Sequence, residues 1–255
     1  MTARWPSILW LVRHGQSAGN VARDEAHAEG AERIALTGRD VDVPLSKLGE
    51  AQADALGRWF AANPSGEQPE VLLVSPYARA EATAERFRAA GGTVDGDVPL
   101  CMDERLREKE FGILDGLTTL GVAAQEPQQA EFRRAIGKFY HRPPGGESWA
   151  DVILRLRSLM DTISLHYSGR PVMIVAHQVV VLCMRYIIEN MTEQRILEID
   201  AKGDVANCSV TEYRFDASAG RFGNLVLARY NETAPIEAEH AAVTAAPDQA
   251  IAARG

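Results

Sequence analysis

Residues 8–15 read Ile-Leu-Trp-Leu-Val-Arg-His-Gly, a short apolar run that ends in two polar side chains and a glycine. A continuous run such as Ile8 to Val12 is typical of a strand buried on both faces of a sheet. Arg13 and His14 follow the run directly. The stretch therefore predicts a buried strand that carries a guanidinium group and an imidazole at its carboxyl end.

Two further apolar runs, Val71 to Val74 and Val172 to Ala176, predict two more buried strands. The first is followed by Ser75-Pro76, which is typical of an N-cap and a first helical turn, and predicts a helix to about Ala90. The second is followed by His177.

Helical patterns alternate with these strands. Ser148 and Asp151 form a capping-box pattern before an apolar stripe. Helices are predicted over 46–62, ended by Asn63-Pro64, over 148–169 and over 179–189, and a pair of strands over Val205 to Phe215 and Phe222 to Tyr230. This alternation indicates an α/β fold with a mainly parallel, mixed sheet flanked by helices on both faces. The polar stretch from Asn20 to Asp42 is interpreted as a surface excursion.

The length and composition indicate one catalytic domain over residues 1–233. A chain of 255 residues, 46% of them apolar, can bury a full core without disulfides or metal ions. The composition changes at Ala234, after which nine of the last 22 residues are alanine and apolar periodicity is lost. Residues 234–255 are therefore predicted to be an alanine-rich, mobile tail.

Charge and cysteine content argue against several classes of protein. The formal net charge is −8 and the basic residues are scattered, which argues against nucleic acid as a partner. The run from Ile8 to Val12 is too short for a membrane span or a signal-peptide core. The three cysteines, Cys101, Cys183 and Cys208, cannot all pair, and this favours a reducing cytoplasm.

Polar groups that follow the predicted strands are expected to meet, because ligands of open α/β sheets bind beyond the carboxyl ends of the strands. Arg13 and His14 follow the first strand. Arg79 lies in the first turn of the helix after the second strand, and His177 follows the third. Cations packed this closely repel one another unless an anion lies between them. The sequence thus predicts an anion site, to which helix N-termini add N–H donors.

Five segments between about Leu9 and Asn231 contain these four residues together with further polar residues and glycines. They are Leu11–Asn20 (LVRHGQSAGN), Ser75–Arg79 (SPYAR) with Thr83-Ala84, Leu106–Glu108 (LRE) with Phe111-Gly112 and Asp115-Gly116, Gly145–Ser148 (GGES), and Val175–His177 (VAH). In this order they resemble the motifs of the histidine phosphatase superfamily, which includes the cofactor-dependent phosphoglycerate mutases. The resemblance implies a phosphoglycerate mutase-like three-layer sandwich, and the GGES segment is more similar to the phosphatase branch.

The resemblance also implies a role for each site residue. His14 is implied as the nucleophile that becomes phosphohistidine, and Glu108 as the proton donor. Gln178, which stands where the family usually has glycine, is expected to contact the substrate. The implied ligands of the phosphate are Arg13, Asn20, Arg79 and His177. No cofactor and no metal ion is expected, because four cationic groups already surround the phosphate.

The chemistry of phosphoryl transfer agrees with these roles. Catalysis depends mainly on alignment and on stabilising charge on the equatorial oxygens, which arginine forks do bidentately. Neighbouring cations favour the neutral imidazole that His14 needs in order to attack. Gly15 is expected to let the chain turn tightly beside the phosphate.

The residues alone leave the proton donor open. Most acidic runs are solvated faces. The resemblance selects Glu108, which would protonate the leaving alkoxide and then activate water, and Glu147 is a second candidate. The carboxylates that crowd the segment around Glu108 are Asp103, Glu104, Glu110 and Asp115.

Three other functions compete with hydrolysis of a small phosphorylated metabolite. Gly15-Gln-Ser17-Ala-Gly19 matches the GxSxG pattern of serine esterases, but only sixteen residues precede Ser17 and the serine does not follow its strand directly. A phosphoglycerate mutase is the main alternative. The 69 positions from Glu108 to His177 are short for the insertion with which, as the resemblance implies, mutases close their site. A non-catalytic phosphate or phosphoprotein binder is disfavoured, because every presumed catalytic residue is present.

Substrate specificity is expected to come from the excursion over 21–36 and from residues 125–142. Four basic residues of the second stretch predict either a solvated helix face, which is favoured, or a second anionic subsite. They are Arg133, Arg134, Lys138 and Arg142.

Overall fold

The first predicted strand is the centre of the molecule. A computed structural model describes residues 4–62 and 67–245, and in it strand β1 (Ile8–Arg13) is buried along its whole length. Leu9 and Leu11 pack into one apolar cluster, whereas Trp10 and Val12 pack into another on the opposite face. The strand is therefore buried on both faces, as the sequence predicts.

The described residues form one mixed sheet of six strands with the order β3-β2-β4-β1-β5-β6. Strands β1, β4, β2 and β3 are parallel neighbours, and β5 and β6 add an antiparallel edge beside β1. The other strands are β2 (Val71–Val74), β3 (Leu100–Met102), β4 (Pro171–Ala176), β5 (Val210–Asp216) and β6 (Asn224–Glu232).

Helices cover both faces of the sheet. They are α1 (Ala18–Ala28), α2 (Lys47–Ala61), α3 (Ala78–Ala89), α4 (Thr119–Gln125), α5 (Pro127–Ile136), α6 (Trp149–His166), α7 (Gln178–Ile188), α8 (Glu193–Lys202) and α9 (Ala234–Glu237). Helices α2, α3 and α9 pack on one face, and α6, α7 and α8 on the other. The three-layer α/β architecture predicted from the sequence is confirmed.

The register of the parallel strands brings three strand ends together. Arg13 lies beside Ala176 across β1 and β4, and Val74 lies beside Val175 across β2 and β4. His14, Ser75 and His177 follow these ends directly. The same edge of the sheet thus presents the side chains on which the site prediction rests.

Several predicted boundaries are wrong. The excursion over Asn20 to Asp42 contains α1, whose N-cap Ser17 forms a capping box with Asn20; asparagine at N3 is a weaker signal than the usual Glu or Gln. The helix after β2 begins at Ala78 with Tyr77 as N-cap, so Ser75 does not cap it. The proposed strand over Val205 to Phe215 begins only at Val210, because Cys208 has a left-handed φ of 52° and the N–H of Ser209 bonds the Ala206 carbonyl.

Residues 234–245, which the sequence assigns to a mobile tail, pack against the rest of the domain. Ile236 on α9 is fully buried in the cluster with α2. The Gln52 amide donates to the Ala242 carbonyl at 2.7 Å and to the Thr244 hydroxyl at 3.0 Å. This stretch is held by a few separate contacts rather than by a continuous apolar face, and this explains why its sequence has no apolar periodicity. Residues 246–255, like the predicted helix end at Asn63-Pro64, lie outside the described residues.

The chain between β3 and α6 is folded more fully than the sequence indicates. Strand β3 and helices α4 and α5 were not predicted, since they are short or mostly polar. We refer to residues 103–147 as the 103–147 segment. Of the helices in the described ranges, none combines the length and the apolar character that a membrane crossing needs.

Candidate active site

His14 lies at the carboxyl end of β1 and is fully buried. Its backbone N–H donates to the Ala176 carbonyl at 2.9 Å. Its Nδ1 lies 2.7 Å from the Gly15 carbonyl, which can only accept, so Nδ1 carries a proton. Nε2 lies 3.3 Å from Nε of Arg79, which can only donate. The two contacts together favour a neutral imidazole with its lone pair on Nε2.

Gly15 is needed for a close approach rather than for a special turn. A Cβ added at Gly15 would lie 2.5 Å from the carbonyl oxygen of Gly49 on α2, which is shorter than any van der Waals contact allows. The N–H of Gly15 donates to the Thr83 hydroxyl at 3.0 Å. Thr83, which belongs to the second motif segment, lies one helical turn after Arg79 on α3.

Arg79 is 1% exposed and lies in the first turn of α3. Besides its contact with His14, its guanidinium pairs with Asp40. Nη1 donates to the Asp40 backbone carbonyl at 2.7 Å and to Oδ1 at 3.2 Å, and Nη2 donates to Oδ2 at 3.1 Å. Sequence reasoning missed Asp40, because its position in the polar excursion carries no signal for this contact.

His177 follows β4 and is also fully buried. Its Nε2 lies 2.8 Å from the Ser75 hydroxyl. Its ring lies 5.1 Å from that of His14 and 5.0 Å from that of Tyr77, centroid to centroid. The serine expected to cap a helix thus orients an imidazole across the strand ends.

Arg13 and Asn20 are buried beside these groups. Nη1 of Arg13 donates to the Val205 carbonyl at 2.6 Å. Oδ1 of Asn20 accepts from the Ser17 backbone N–H at 2.9 Å and from Nδ2 of Asn207 at 3.4 Å. Asn207, which the sequence did not single out, also donates to the His14 carbonyl at 3.0 Å. Asn20 therefore has a structural part in the loop that holds His14.

Gln178 is the first residue of α7 and directly follows His177. Its side-chain amide donates to Oδ1 of Asp204 at 2.9 Å. The structure thus brings Gln178 to the edge of the site, while its amide nitrogen is bound to a neighbouring loop.

Glu108 is 2% exposed at the start of the 103–147 segment. Its Oε1 accepts from the Lys109 backbone N–H at 2.7 Å. Burial and the nearby carboxylates of Glu110, Asp40 and Glu108 raise the pKa of Tyr77, whose ring stacks on the Arg79 guanidinium at 4.8 Å. The Tyr77 hydroxyl donates to Oε1 of Glu110 at 3.2 Å, so Tyr77 links the start of α3 to the 103–147 segment.

Glu147, the second acid candidate, is committed to ion pairs. Arg155 donates to its carboxylate at 3.0 Å and Arg107 at 2.7 Å. Burial alone would raise the pKa of Glu147, but the hydrogen bond and charge of Arg155 lower it. A carboxylate held ionised in this way is poorly suited to donate a proton, and this favours Glu108.

Lys109 is a buried cation that the sequence did not single out. It is 5% exposed, and its ammonium lies 4.2 Å from the Phe111 ring centroid. Burial first, and then the charge of Arg133, lower the pKa of Lys109 to about 8. The pKa of the buried His141 is also lowered by burial and by these two cations.

The four basic residues of the second stretch do not form a uniformly solvated face. Burial lowers the pKa of Arg133, which faces Lys109. Lys138 pairs with Asp200, Arg142 pairs with Asp151, and Arg134 is exposed. Within the described residues, no three His, Cys, Asp or Glu side chains are grouped so that they could hold a metal ion.

The arrangement as a whole is suited to phosphoryl transfer. We call Arg13, His14, Arg79 and His177 the strand-end cluster; its members are all buried at one sheet edge. It combines an imidazole with an available lone pair and fixed cations that can stabilise phosphate oxygens. Glu108 lies buried on the neighbouring 103–147 segment.

Comparisons with known proteins agree with this geometry. A family model described as histidine phosphatase superfamily (branch 1) matches residues 9–227. The 2,3-bisphosphoglycerate-dependent phosphoglycerate mutase 2 of Gloeobacter violaceus is 27% identical over 88% of this chain and 92% of its own length. The 6-phosphofructo-2-kinase/fructose-2,6-bisphosphatase of Caenorhabditis elegans is 28% identical over 85% of this chain, but the match spans only 43% of that longer protein.

A solved structure shares the architecture. The mycobacterial glucosyl-3-phosphoglycerate phosphatase, solved in complex with VO3, is 25% identical and superposes with a TM-score of 0.65. The superposition covers 89% of this chain and 99% of that chain. The family model and the superposed structure therefore both cover most of this chain.

Proposed function

The chain belongs to the histidine phosphatase superfamily (branch 1), and we propose that it hydrolyses the phosphomonoester of a small metabolite through a phosphohistidine on Nε2 of His14. One observation carries the proposal. Nδ1 of His14 is held at 2.7 Å by the Gly15 carbonyl, while Nε2 lies 3.3 Å from the donor Nε of Arg79. The lone pair that would attack phosphorus is thus directed towards a cation that can bind the same phosphate.

In the first step, Nε2 of His14 attacks phosphorus in line with the leaving oxygen. The new P–N bond forms as the P–O bond to the leaving group breaks, and Glu108 transfers its proton to the departing alkoxide. Arg13, Arg79 and His177 stabilise the charge on the equatorial oxygens. The proton on Nδ1 stays on the ring, hydrogen-bonded to the Gly15 carbonyl. The phosphorylated ring is therefore cationic and remains a good leaving group.

In the second step, water attacks the phosphohistidine. The Glu108 carboxylate accepts the proton of this water as the P–O bond forms and the P–N bond breaks. Inorganic phosphate and the neutral His14 result. Each group returns to its starting state, so the proposed cycle needs no metal ion or cofactor.

Hydrolysis is proposed in preference to mutase activity. The mycobacterial relative of known structure is a phosphatase, whereas the Gloeobacter relative is a mutase, so similarity alone does not choose between them. The short stretch from Glu108 to His177 and the GGES segment favour the phosphatase. In the presence of 2,3-bisphosphoglycerate, no isomerisation of 3-phosphoglycerate is expected, whereas a mutase would convert it to 2-phosphoglycerate.

The proposal is tested by trapping the intermediate. Acid-labile, base-stable label from a ³²P-phosphomonoester is expected on His14, and His14→Asn should abolish both the label and turnover of para-nitrophenyl phosphate. His166→Asn, at the exposed end of α6, is the matched control and should retain both. Label on a serine or a carboxylate would contradict the proposal, as would a wild-type protein that binds phosphate without turnover.

Two further measurements separate the alternatives. Activity is expected to survive EDTA, and a loss reversed by added metal would argue against a cycle based on cations of the protein alone. A covalent serine-hydrolase reagent should not inhibit, because Ser17 is buried and its hydroxyl accepts from the Asn20 N–H at 3.1 Å. A cytoplasmic location stays a prediction from the cysteine content.

A further inference from the structure

Asp40 holds the guanidinium that faces the nucleophile. It is the first residue of a short 3₁₀ turn, Asp40–Asp42, and its two carboxylate oxygens lie 3.2 and 3.1 Å from the terminal nitrogens of Arg79. The remaining nitrogen, Nε, lies 3.3 Å from Nε2 of His14. The Asp40 carboxylate therefore binds both terminal nitrogens of the Arg79 guanidinium, next to Nε2 of His14, the atom that attacks in the proposed reaction.

A bound phosphate needs the same donors. A phosphoryl group poised for attack lies within about 3–3.5 Å of the nucleophile, which puts its oxygens beside Arg79. Arginine binds phosphate bidentately through the geometry by which it binds carboxylate. A carboxylate and a phosphate dianion at one fork also repel each other, and this repulsion is strong in a buried site.

We propose that Asp40 is an internal competitor of phosphate: its carboxylate occupies the Arg79 fork in the empty site, leaves when the phosphomonoester binds, and returns to help to expel inorganic phosphate. This inference rests on the proposed function, because it takes the strand-end cluster as the phosphate site. It assigns to Asp40 the control of how tightly substrate and product are held.

The chain around Asp40 is built so that the carboxylate can leave. Residues 35–39 before it are all exposed. Ile34 on one side is tied by its N–H to the Gly116 carbonyl at 2.9 Å, and Val43 on the other side is buried. A shift of the Asp40 carboxylate towards this exposed stretch therefore involves neither the sheet nor its core.

A cavity next to the turn offers the carboxylate another position. Asp40 lines a cavity of about 210 Å³ together with Arg33, Leu36 and Asp115. The Arg33 guanidinium donates to the neutral amide oxygen of Gln125 at 2.8 Å. Among the lining residues, which also include the apolar Ile34 and Val43, Arg33 offers a displaced Asp40 a second guanidinium.

The competing interpretation is that Asp40 only positions Arg79 and stays paired with it throughout the cycle. The two interpretations predict opposite effects of removing the charge. An internal competitor weakens phosphate binding, so its loss tightens binding. A positioning residue strengthens phosphate binding, so its loss weakens binding and lowers kcat/KM.

The test is titration calorimetry of inorganic phosphate and of orthovanadate on the full chain, with wild type, Asp40→Asn and Asp42→Asn. Asp42 is the matched control, since it lies in the same turn but pairs with the exposed Arg39 at 2.8 and 3.0 Å. We expect Asp40→Asn to bind both anions about tenfold more tightly, with a lower KM and a lower kcat in phosphatase assays. Asp42→Asn should match wild type.

Unchanged or weaker binding by Asp40→Asn would overturn the inference, and so would equal tightening by Asp42→Asn. Asp40→Ser removes the same charge with a smaller side chain, and carries the test if the asparagine variant does not fold. The two proposals fail separately. If the wild type forms no phosphohistidine, the proposed function fails. If the wild type forms phosphohistidine but Asp40→Asn binds phosphate no more tightly, only this inference fails.

Discussion

Two regions supply the groups of the proposed reaction, and different interactions hold them. Three members of the strand-end cluster are held at strand ends, where the His14 N–H bonds the Ala176 carbonyl at 2.9 Å, and the fourth, Arg79, lies in the first turn of α3. The 103–147 segment is held to α6 by several side-chain contacts, among them those of Arg105, Arg142 and Arg155. Arg155 donates to the carbonyls of Arg105 at 2.5 Å and Glu108 at 3.3 Å, and to the Glu147 carboxylate.

The difference separates two functions of the site. Backbone hydrogen bonds in a parallel sheet leave Arg13, His14 and His177 little freedom, because moving one of them shifts a strand. Arg79 is held instead by α3 and by its pair with Asp40. The proton donor depends on connecting chain and on charge pairs, which can vary while the sheet is kept. In the proposed reaction, phosphate binding is thus the fixed part of this architecture, and leaving-group chemistry is the adjustable part.

The largest expected effect is on the adjustable part. Glu108→Gln keeps the shape of the side chain but cannot donate a carboxylic proton, so turnover of an alkyl phosphate should fall about 10²–10⁴-fold. A nitrophenyl phosphate should lose less than about tenfold, because its leaving group needs little protonation. Steady-state kinetics with both substrates measures the difference, and Glu104→Gln, an exposed neighbour, is the control. Equal losses for both substrates would remove Glu108 from this role.

The second effect is on the fixed part, and here the leaving group should not matter. Arg79→Lys keeps a positive charge but loses the fork, and kcat/KM should fall about 10²–10³-fold for alkyl and nitrophenyl substrates alike. Arg86→Lys on the same helix, where Arg86 pairs with the half-buried Asp54 at 2.6 Å, is the matched control. A loss that depends on the leaving group would contradict the separation of the two regions.

The same division explains what could be predicted from the sequence. His14 and His177 follow continuous apolar runs, and the edge where such strands end is fixed by sheet geometry, so their proximity follows from the pattern. Val71–Val74 was predicted with the bounds that the structure has. These predictions depend on local periodicity, which one sequence contains.

Other features depend on contacts between distant parts of the chain. The pair of Asp40 with Arg79 joins residues 39 positions apart, and the Gln52 amide reaches the Ala242 carbonyl from 190 positions away. The Val205 carbonyl accepts from the Arg13 guanidinium rather than from a neighbouring strand. Such contacts leave no periodic pattern in the sequence. This is why the helix within the excursion, the packing of residues 234–245 and the start of the first of the two final strands were not predicted.

The smallest expected effect is on stability and concerns Lys109, which is buried in the 103–147 segment. Its pKa is lowered from 10.5 to about 8 in the folded protein, by burial first and then by Arg133. The unfolded chain therefore binds more protons between pH 8 and 10.5, so this group adds stability as the pH rises and loses it again as the pH falls through about 8.

Lys109→Met removes the titration and keeps a side chain of similar length. The free energy of unfolding of wild type relative to this variant is expected to rise by about 2 kcal/mol between pH 7 and pH 9.5. Urea unfolding at both pH values measures the change, and Lys47→Met, which removes an exposed lysine at the start of α2, should show no such rise. If the two variants behave alike, Lys109 is solvated in the folded protein. The segment beside Glu108 would then be open to water, and proton transfer there would not depend on a buried environment.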